Sequence, residues 1–133
     1  MVIVDTTVWV DYFCGNHNPE TDWLDLELGR VRLGLTDLIL CEVLQGVREN
    51  LAFRKVQREL LKCELFDSGG RDLAIAAARN FRLLRQRGRT VRKTIDCLIA
   101  TFCIRNGHSL LHRDRDFDAF EEFCQLSVIH PPS

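Results

Sequence analysis

Along its whole length the chain alternates short apolar runs with longer stretches of helical periodicity. Val2–Val4 is a β-branched run of strand length, and Thr6 to Phe13 reads as a helix broken by Gly15-Asn16-His17-Asn18-Pro19. Glu20 to about Gly29 is a second helix, amphipathic through Trp23, Leu24 and Leu28. Val31 to Leu35 alternates like a strand. Thr36 then has the chemistry of an N-cap, and Asp37 suits the positive end of a helix running to about Val47. Asn50 to Lys62 reads as helix, Cys63–Phe66 as strand, and Asp72 to Arg87 as a long helix stopped near Gly88. Thr94 caps a strongly apolar helix that ends at Asn106-Gly107, and Ser109–Leu111 and Leu126–Ile129 are further strands. Strand–helix alternation of this kind predicts an α/β three-layer sandwich with a mostly parallel central sheet. The 133 residues read as one domain over 1–133, long enough to bury a core.

Composition removes several classes. Lys plus Arg total 18 and Asp plus Glu 19, so bulk charge does not mark a nucleic-acid binder and only local patches can. No apolar run is long enough to cross a membrane, and Met1-Val2-Ile3-Val4-Asp5 lacks the basic start of a signal peptide. The expectation is a cytoplasmic protein with no membrane association. Six cysteines form no C-x-x-C pair, and Cys41, Cys97 and Cys103 fall inside apolar helical runs. They are expected to be buried thiols rather than disulfides or zinc ligands.

Carboxylates embedded in apolar sequence need a reason, because burying an unpaired charge is costly. Asp5 directly follows the first strand, at the sheet edge where open parallel sheets bind ligands, although it equally suits an N-cap. Glu42 lies on an apolar row with Leu38 and Ile39, where the bland reading is a buried salt bridge. Asp96 occupies the first turn of the apolar helix, where the helix dipole favours an anion. Asp114 and Asp116 follow another strand and should share the edge with Asp5, unless they form a charged surface turn with Arg113 and Arg115. Converging carboxylates need a cation between them. Oxygen ligands suit Mg²⁺ or Mn²⁺, and such sites serve phosphodiester hydrolysis. No histidine occupies a convincing base position; His112 is nearest and is expected to shape its loop.

From Leu73 to Ile95 there is no acidic residue, and arginines accumulate. Arg85, Arg89, Arg92 and Lys93 lead straight into the helix of Asp96, a placement suited to RNA phosphates beside a metal. A solvated charged face is the alternative.

Four blocks in order, Val-Asp5-Thr-Thr-Val-Trp, Leu-Cys-Glu42-Val-Leu-Gln-Gly, Thr-Ile-Asp96-Cys-Leu-Ile-Ala and Leu-Leu-His-Arg-Asp114-Arg-Asp-Phe, resemble the signatures of PIN-domain ribonucleases. The small single-domain form resembles the VapC toxin of VapBC toxin–antitoxin systems. The resemblance implies a Mg²⁺-dependent endoribonuclease that cleaves with a metal-activated water. It implies Asp5, Glu42, Asp96 and Asp114 as the acidic set, with Asp116 as a fifth member and Asp5, Asp96 and Asp114 holding metal. Thr7 matches a hydroxyl residue supporting the first acid, and Thr94 a small polar residue near the third. His112 departs from the usual Thr or Ser. The resemblance further implies a homodimer and a cognate VapB-type antitoxin, and Trp9, Tyr12, Phe13 and Trp23 are aromatics suited either to such an interface or to the core.

Three other readings stand beside this one. A phosphatase of the haloacid-dehalogenase type would use Asp5 as nucleophile, but Thr7 stands where a second acid is expected. A non-catalytic binding module would hold the acids structurally. A DNA-directed PIN nuclease would use the same acids on another polymer.

Overall fold

The computed structural model describes residues 1–133. Five strands form one all-parallel sheet: β1 (Val2–Val4), β2 (Leu33–Thr36), β3 (Glu64–Phe66), β4 (Ser109–Leu111) and β5 (Ser127–Val128), in the order β3-β2-β1-β4-β5. Seven helices connect them: α1 (Thr6–Phe13), α2 (Pro19–Glu27), α3 (Asp37–Gln45), α4 (Asn50–Leu60), α5 (Gly70–Gln86), α6 (Thr94–Asn106) and α7 (Asp118–Cys124). The expected α/β sandwich is borne out, and its sheet is wholly rather than mostly parallel.

The order of the strands decides where the site lies. The chain first steps outward from β1 to β2 to β3, then jumps back across β1 to β4 and β5. Right-handed crossovers place α1–α4 on one face and α5–α7 on the other. The packing agrees, with α3 against α1 and α4, and α5 against α6 and α7. Connections therefore reverse direction between β1 and β4. A crevice opens at such a reversal, beyond the carboxyl ends of the strands.

Local chemistry explains most boundaries. The Asn18 side chain accepts from Thr21 N–H and the Thr21 hydroxyl accepts from Asn18 N–H, a reciprocal cap that starts α2 with Pro19 in its first turn. Thr36 caps α3 through Ile39 N–H at 3.3 Å, as its sequence position suggests. Gly107 closes α6 at φ 68°, a left-handed position that glycine adopts without strain. α6 itself is buried from Asp96 to Cys103 apart from Leu98.

Four expectations shift. The second strand starts at Leu33, because Val31 is 40% exposed and outside the sheet. Thr94 is the first residue of α6 and not its cap; Lys93 holds the cap position without a side-chain bond. Asp114 and Asp116, for which a charged surface turn with Arg113 and Arg115 is the alternative in sequence, lead into a 3-10 turn (Arg115–Phe117) and then α7, an element the sequence leaves unassigned. There Phe117 and Phe120 are fully buried, each worth ~2–3 kcal/mol. All six cysteines are free, but only Cys97 and Cys103 are buried; Cys41 is exposed because Ile39 and Val43 take the inward face of α3.

Candidate active site

Asp5 leaves β1 with its N–H bonded to Leu111 O at 2.9 Å, so the ends of β1 and β4 are held together. Its side chain is also the N-cap of α1, accepting from Thr7 N–H at 3.2 Å and from the Thr7 hydroxyl at 2.7 Å, both on Oδ2. The cap and the site are thus one residue with two oxygens. Oδ1 is buried with no hydrogen-bond partner. Burial pushes the carboxyl up to about 6, with the nearby Glu42 charge adding to the rise and the Thr7 bonds opposing it.

Asp96 enters from the first turn of α6, whose N-terminus lies at the same edge because α6 runs back to feed β4. Its Oδ2 is likewise buried and unpartnered. Burial raises its carboxyl to about 7, helped by the charges of Asp5 and Asp114 and countered by Lys93. Asp114 and Asp116 come from the turn after β4. Carboxylate oxygens of Asp96, Asp114 and Asp116 lie within 4.8 Å of one another, a spacing one cation can span. Glu42 projects from α3 and accepts the Thr6 hydroxyl at 2.7 Å. It is half-buried, and its partner is a hydroxyl rather than the salt bridge considered from sequence.

All five acids therefore meet electrostatically, in two tiers. Asp96, Asp114 and Asp116 form the tight group, while Asp5 and Glu42 stand outside it and bear on Asp96 by charge. Two unpartnered buried oxygens beside three clustered carboxylates form an all-oxygen, anionic donor set. That chemistry fits a hard divalent cation.

Supporting residues lock this arrangement. The Thr7 hydroxyl donates to Asp5 and accepts from Arg113 N–H at 3.1 Å, joining the loops after β1 and β4. Arg113 in turn reaches Glu20 at 2.8 Å and Asp11 at 3.6 Å. Asp114 Oδ1 accepts Asp116 N–H at 2.9 Å and starts the 3-10 turn, while His112 Nδ1 accepts Asp114 N–H at 3.1 Å. His112 thus shapes its loop, as expected. The bracing by Thr6 and Arg113 was missed, because nothing in sequence links residues this far apart.

The basic stretch is less free than its sequence suggests. Arg92 binds Asp116 through Nε at 3.0 Å and Nη2 at 3.2 Å. Arg89 pairs with Glu122 and lies over the Phe123 ring, and Arg85 lies over Phe81 at 5.6 Å. Lys93 is exposed beside Asp96. Thr94 is exposed at the start of α6.

The PIN domain family model matches residues 2–122. The chain belongs to the PIN domain family. Within it, the chain is 30% identical over 134 residues to Ribonuclease VapC11 of Mycobacterium tuberculosis and to a VapC ribonuclease of Mycobacterium bovis. In both cases 96% of this chain and 97% of the relative are covered. Among solved structures, the PIN fold here is similar to VapBC2 from Rickettsia felis bound to a promoter DNA fragment. That match has TM-score 0.77 and 16% identity, covering 97% of this chain and 98% of the other. FitAcB from Neisseria gonorrhoeae matches at TM-score 0.71 and 20% identity, over 98% of both chains. These structural likenesses bear on the fold. No helix of this PIN domain is long and apolar enough to cross a membrane.

Proposed function

We propose that this PIN domain, one domain over 1–133, is a divalent-metal-dependent endoribonuclease and the toxin of a VapBC-type toxin–antitoxin pair. The observation that carries the reading is the pair of buried, unpartnered oxygens, Asp5 Oδ1 and Asp96 Oδ2, beside the Asp96–Asp114–Asp116 cluster. A purely structural acid would satisfy its oxygens within the fold, because an orphaned buried acceptor costs ~1–3 kcal/mol. Its VapC relatives are named ribonucleases, which supplies the substrate class.

Asp96, Asp114 and Asp116 would hold the ion, with Asp5 completing the set from the end of β1. Mg²⁺ is the preferred ion and Mn²⁺ an alternative. A bound divalent ion supplies Lewis-acid polarisation of a phosphate oxygen and lowers the pKa of water. The chain's own part is positional. Thr7 and Thr6 point Asp5 and Glu42, the α6 N-terminus favours negative charge near Asp96, and Glu42 orients the attacking water. Arg85, Arg89 and Lys93 would track the RNA backbone along the α5–α6 side.

A partner surface fits the same reading. Trp9 stacks on Phe13 at 5.8 Å and Tyr12 meets both rings edge-on, and together with Leu28 and Val31 they line a groove of about 380 Å³. A VapB-type antitoxin segment would lie there, as the solved relatives are toxin–antitoxin complexes. A homodimer is proposed as well, readable by sedimentation of the purified chain, and a cytoplasmic location goes with an RNA substrate.

The deciding experiment is cleavage of total cellular RNA by the purified chain with Mg²⁺, with EDTA, and by Asp96→Asn. Single-stranded DNA is run alongside. Discrete fragments that vanish in both controls are expected. Cut DNA with intact RNA would make this a DNA-directed nuclease. No cleavage of either polymer would favour the non-catalytic binding module.

A further inference from the structure

Arg92 occupies a place no other cation in the molecule shares. Its guanidinium takes both oxygens of Asp116, Nε on Oδ2 at 3.0 Å and Nη2 on Oδ1 at 3.2 Å. The Asp116 side chain is 12% exposed and that of Arg92 is 73% exposed. The arginine therefore caps Asp116 from the solvent side, and the rest of its donor fork is unspent. Asp116 is one of the three acids whose oxygens lie within 4.8 Å of one another.

Two cations cannot both draw fully on one carboxylate at this range. Like charges a few ångströms apart repel, and strongly where protein displaces water. A divalent ion shared by Asp96, Asp114 and Asp116 thus weakens the hold of Asp116 on Arg92. The arginine is the freer of the two partners, its side chain 73% exposed against 12% for Asp116. Asp116 is fixed at its backbone by Asp114 Oδ1 at 2.9 Å. Arg92 instead stands on the non-helical stretch between α5 and α6, pinned by the buried Val91 beside it, so its long side chain can swing without unpacking the core.

We propose that Arg92 couples cation loading to RNA capture: it is the counter-cation of Asp116 while the cluster is metal-free, and is released to an RNA phosphate when a divalent ion takes the cluster. The inference rests on the metal-dependent nuclease reading. It gives Arg92 two mutually exclusive partners, and that exclusivity distinguishes it from a standing phosphate contact or a structural brace.

The test uses Mn²⁺ binding, followed by electron paramagnetic resonance without RNA, in wild type, Arg92→Gln and Arg92→Lys. Loss of the competing guanidinium is expected to tighten Mn²⁺ about three- to tenfold in Arg92→Gln, with Arg92→Lys between. A second readout is the salt dependence of binding to a labelled single-stranded RNA. With Ca²⁺ present, the slope of log K on log salt is expected to be shallower in Arg92→Gln than in wild type by about 0.7, one phosphate contact. In EDTA the two slopes are expected to coincide. Unchanged or weaker Mn²⁺ binding in Arg92→Gln would overturn the coupling, as would an equal slope difference in EDTA and Ca²⁺. A wild-type chain that binds no Mn²⁺ would instead remove the metal reading itself, and the coupling with it.

Discussion

His112 accepts the backbone N–H of Asp114 on its Nδ1 at 3.1 Å, which assigns the ring proton to Nε2. That Nε2 is buried without a partner, and the ring packs on Phe117 with centroids 4.9 Å apart. Burial lowers the imidazole below its ordinary pKa, so the ring is neutral at physiological pH. In this chain an imidazole acceptor does the work of aiming Asp114.

Removal of that acceptor should loosen Asp114 without touching substrate. His112→Ala is expected to lower cleavage about tenfold or more, the usual size for a residue that orients a ligand. His112→Asn, whose Oδ1 can accept the same N–H, should recover most of it. Rates and Mn²⁺ affinity measured for both variants check this, and equal losses in the two would refute the acceptor role.

Asp5 and Asp96 destabilise the metal-free fold at high pH. Each is raised above its unfolded value of 3.8, to about 6 and about 7. The native state therefore binds more protons than the unfolded state between those limits, and stability falls as pH rises from about 4 to 7. Asp96→Asn removes its share of the loss. Urea unfolding in EDTA should find the variant about 2 kcal/mol more stable than wild type at pH 8 and nearly equal at pH 4.

Cation binding should run against those same protons. The proposed ligands bind a cation only as ionised carboxylates, so Mg²⁺ or Mn²⁺ would displace the protons held by Asp5 and Asp96. The rise in melting temperature with millimolar Mn²⁺ is expected to be larger at pH 8 than at pH 6. Calorimetry in two buffers of different ionisation enthalpy should report proton release at pH 6. Release equal at pH 6 and pH 8 would contradict the raised carboxyls.

Gly34 tests packing apart from the site. A Cβ there would meet Met1 Sδ at 2.8 Å, Phe66 Cε2 at 2.9 Å and Ile3 Cδ1 at 3.1 Å. These are side chains that can shift at a cost. Gly34→Ala is expected to destabilise by about 1–3 kcal/mol, read as a lower denaturation midpoint with the cleavage pattern unchanged.

The sequence conveys single-element facts well and pairings poorly. Val2–Val4, Thr36 as a cap and the Gly107 stop are legible because each rests on local chemistry, a β-branched run, a hydroxyl or a left-handed turn. Val31 misled because its alternation with Leu33 and Leu35 continues past the end of the sheet. Residues 118–124 hid a helix because their apolar positions are few and set among acidic residues, leaving no long periodic run. At the site, Asp5, Glu42 and Asp96 stand out as charges in apolar context, and Asp114 and Asp116 by their place just after a strand. Their partners do not, since Thr6 meets Glu42 across 36 positions and Arg92 meets Asp116 across 24. Such distances are set by strand order, which no local pattern encodes.

That strand order also has a temporal meaning. β1 is synthesised well before one of its two neighbours, β4, which begins at Ser109. Until then Asp5 faces neither Asp114 nor Asp116, and one edge of β1 is open to pairing. The five carboxylates therefore stay apart until the residues from Ser109 onward pack against β1, so the assembled acidic set is a product of long-range pairing and not of any one segment.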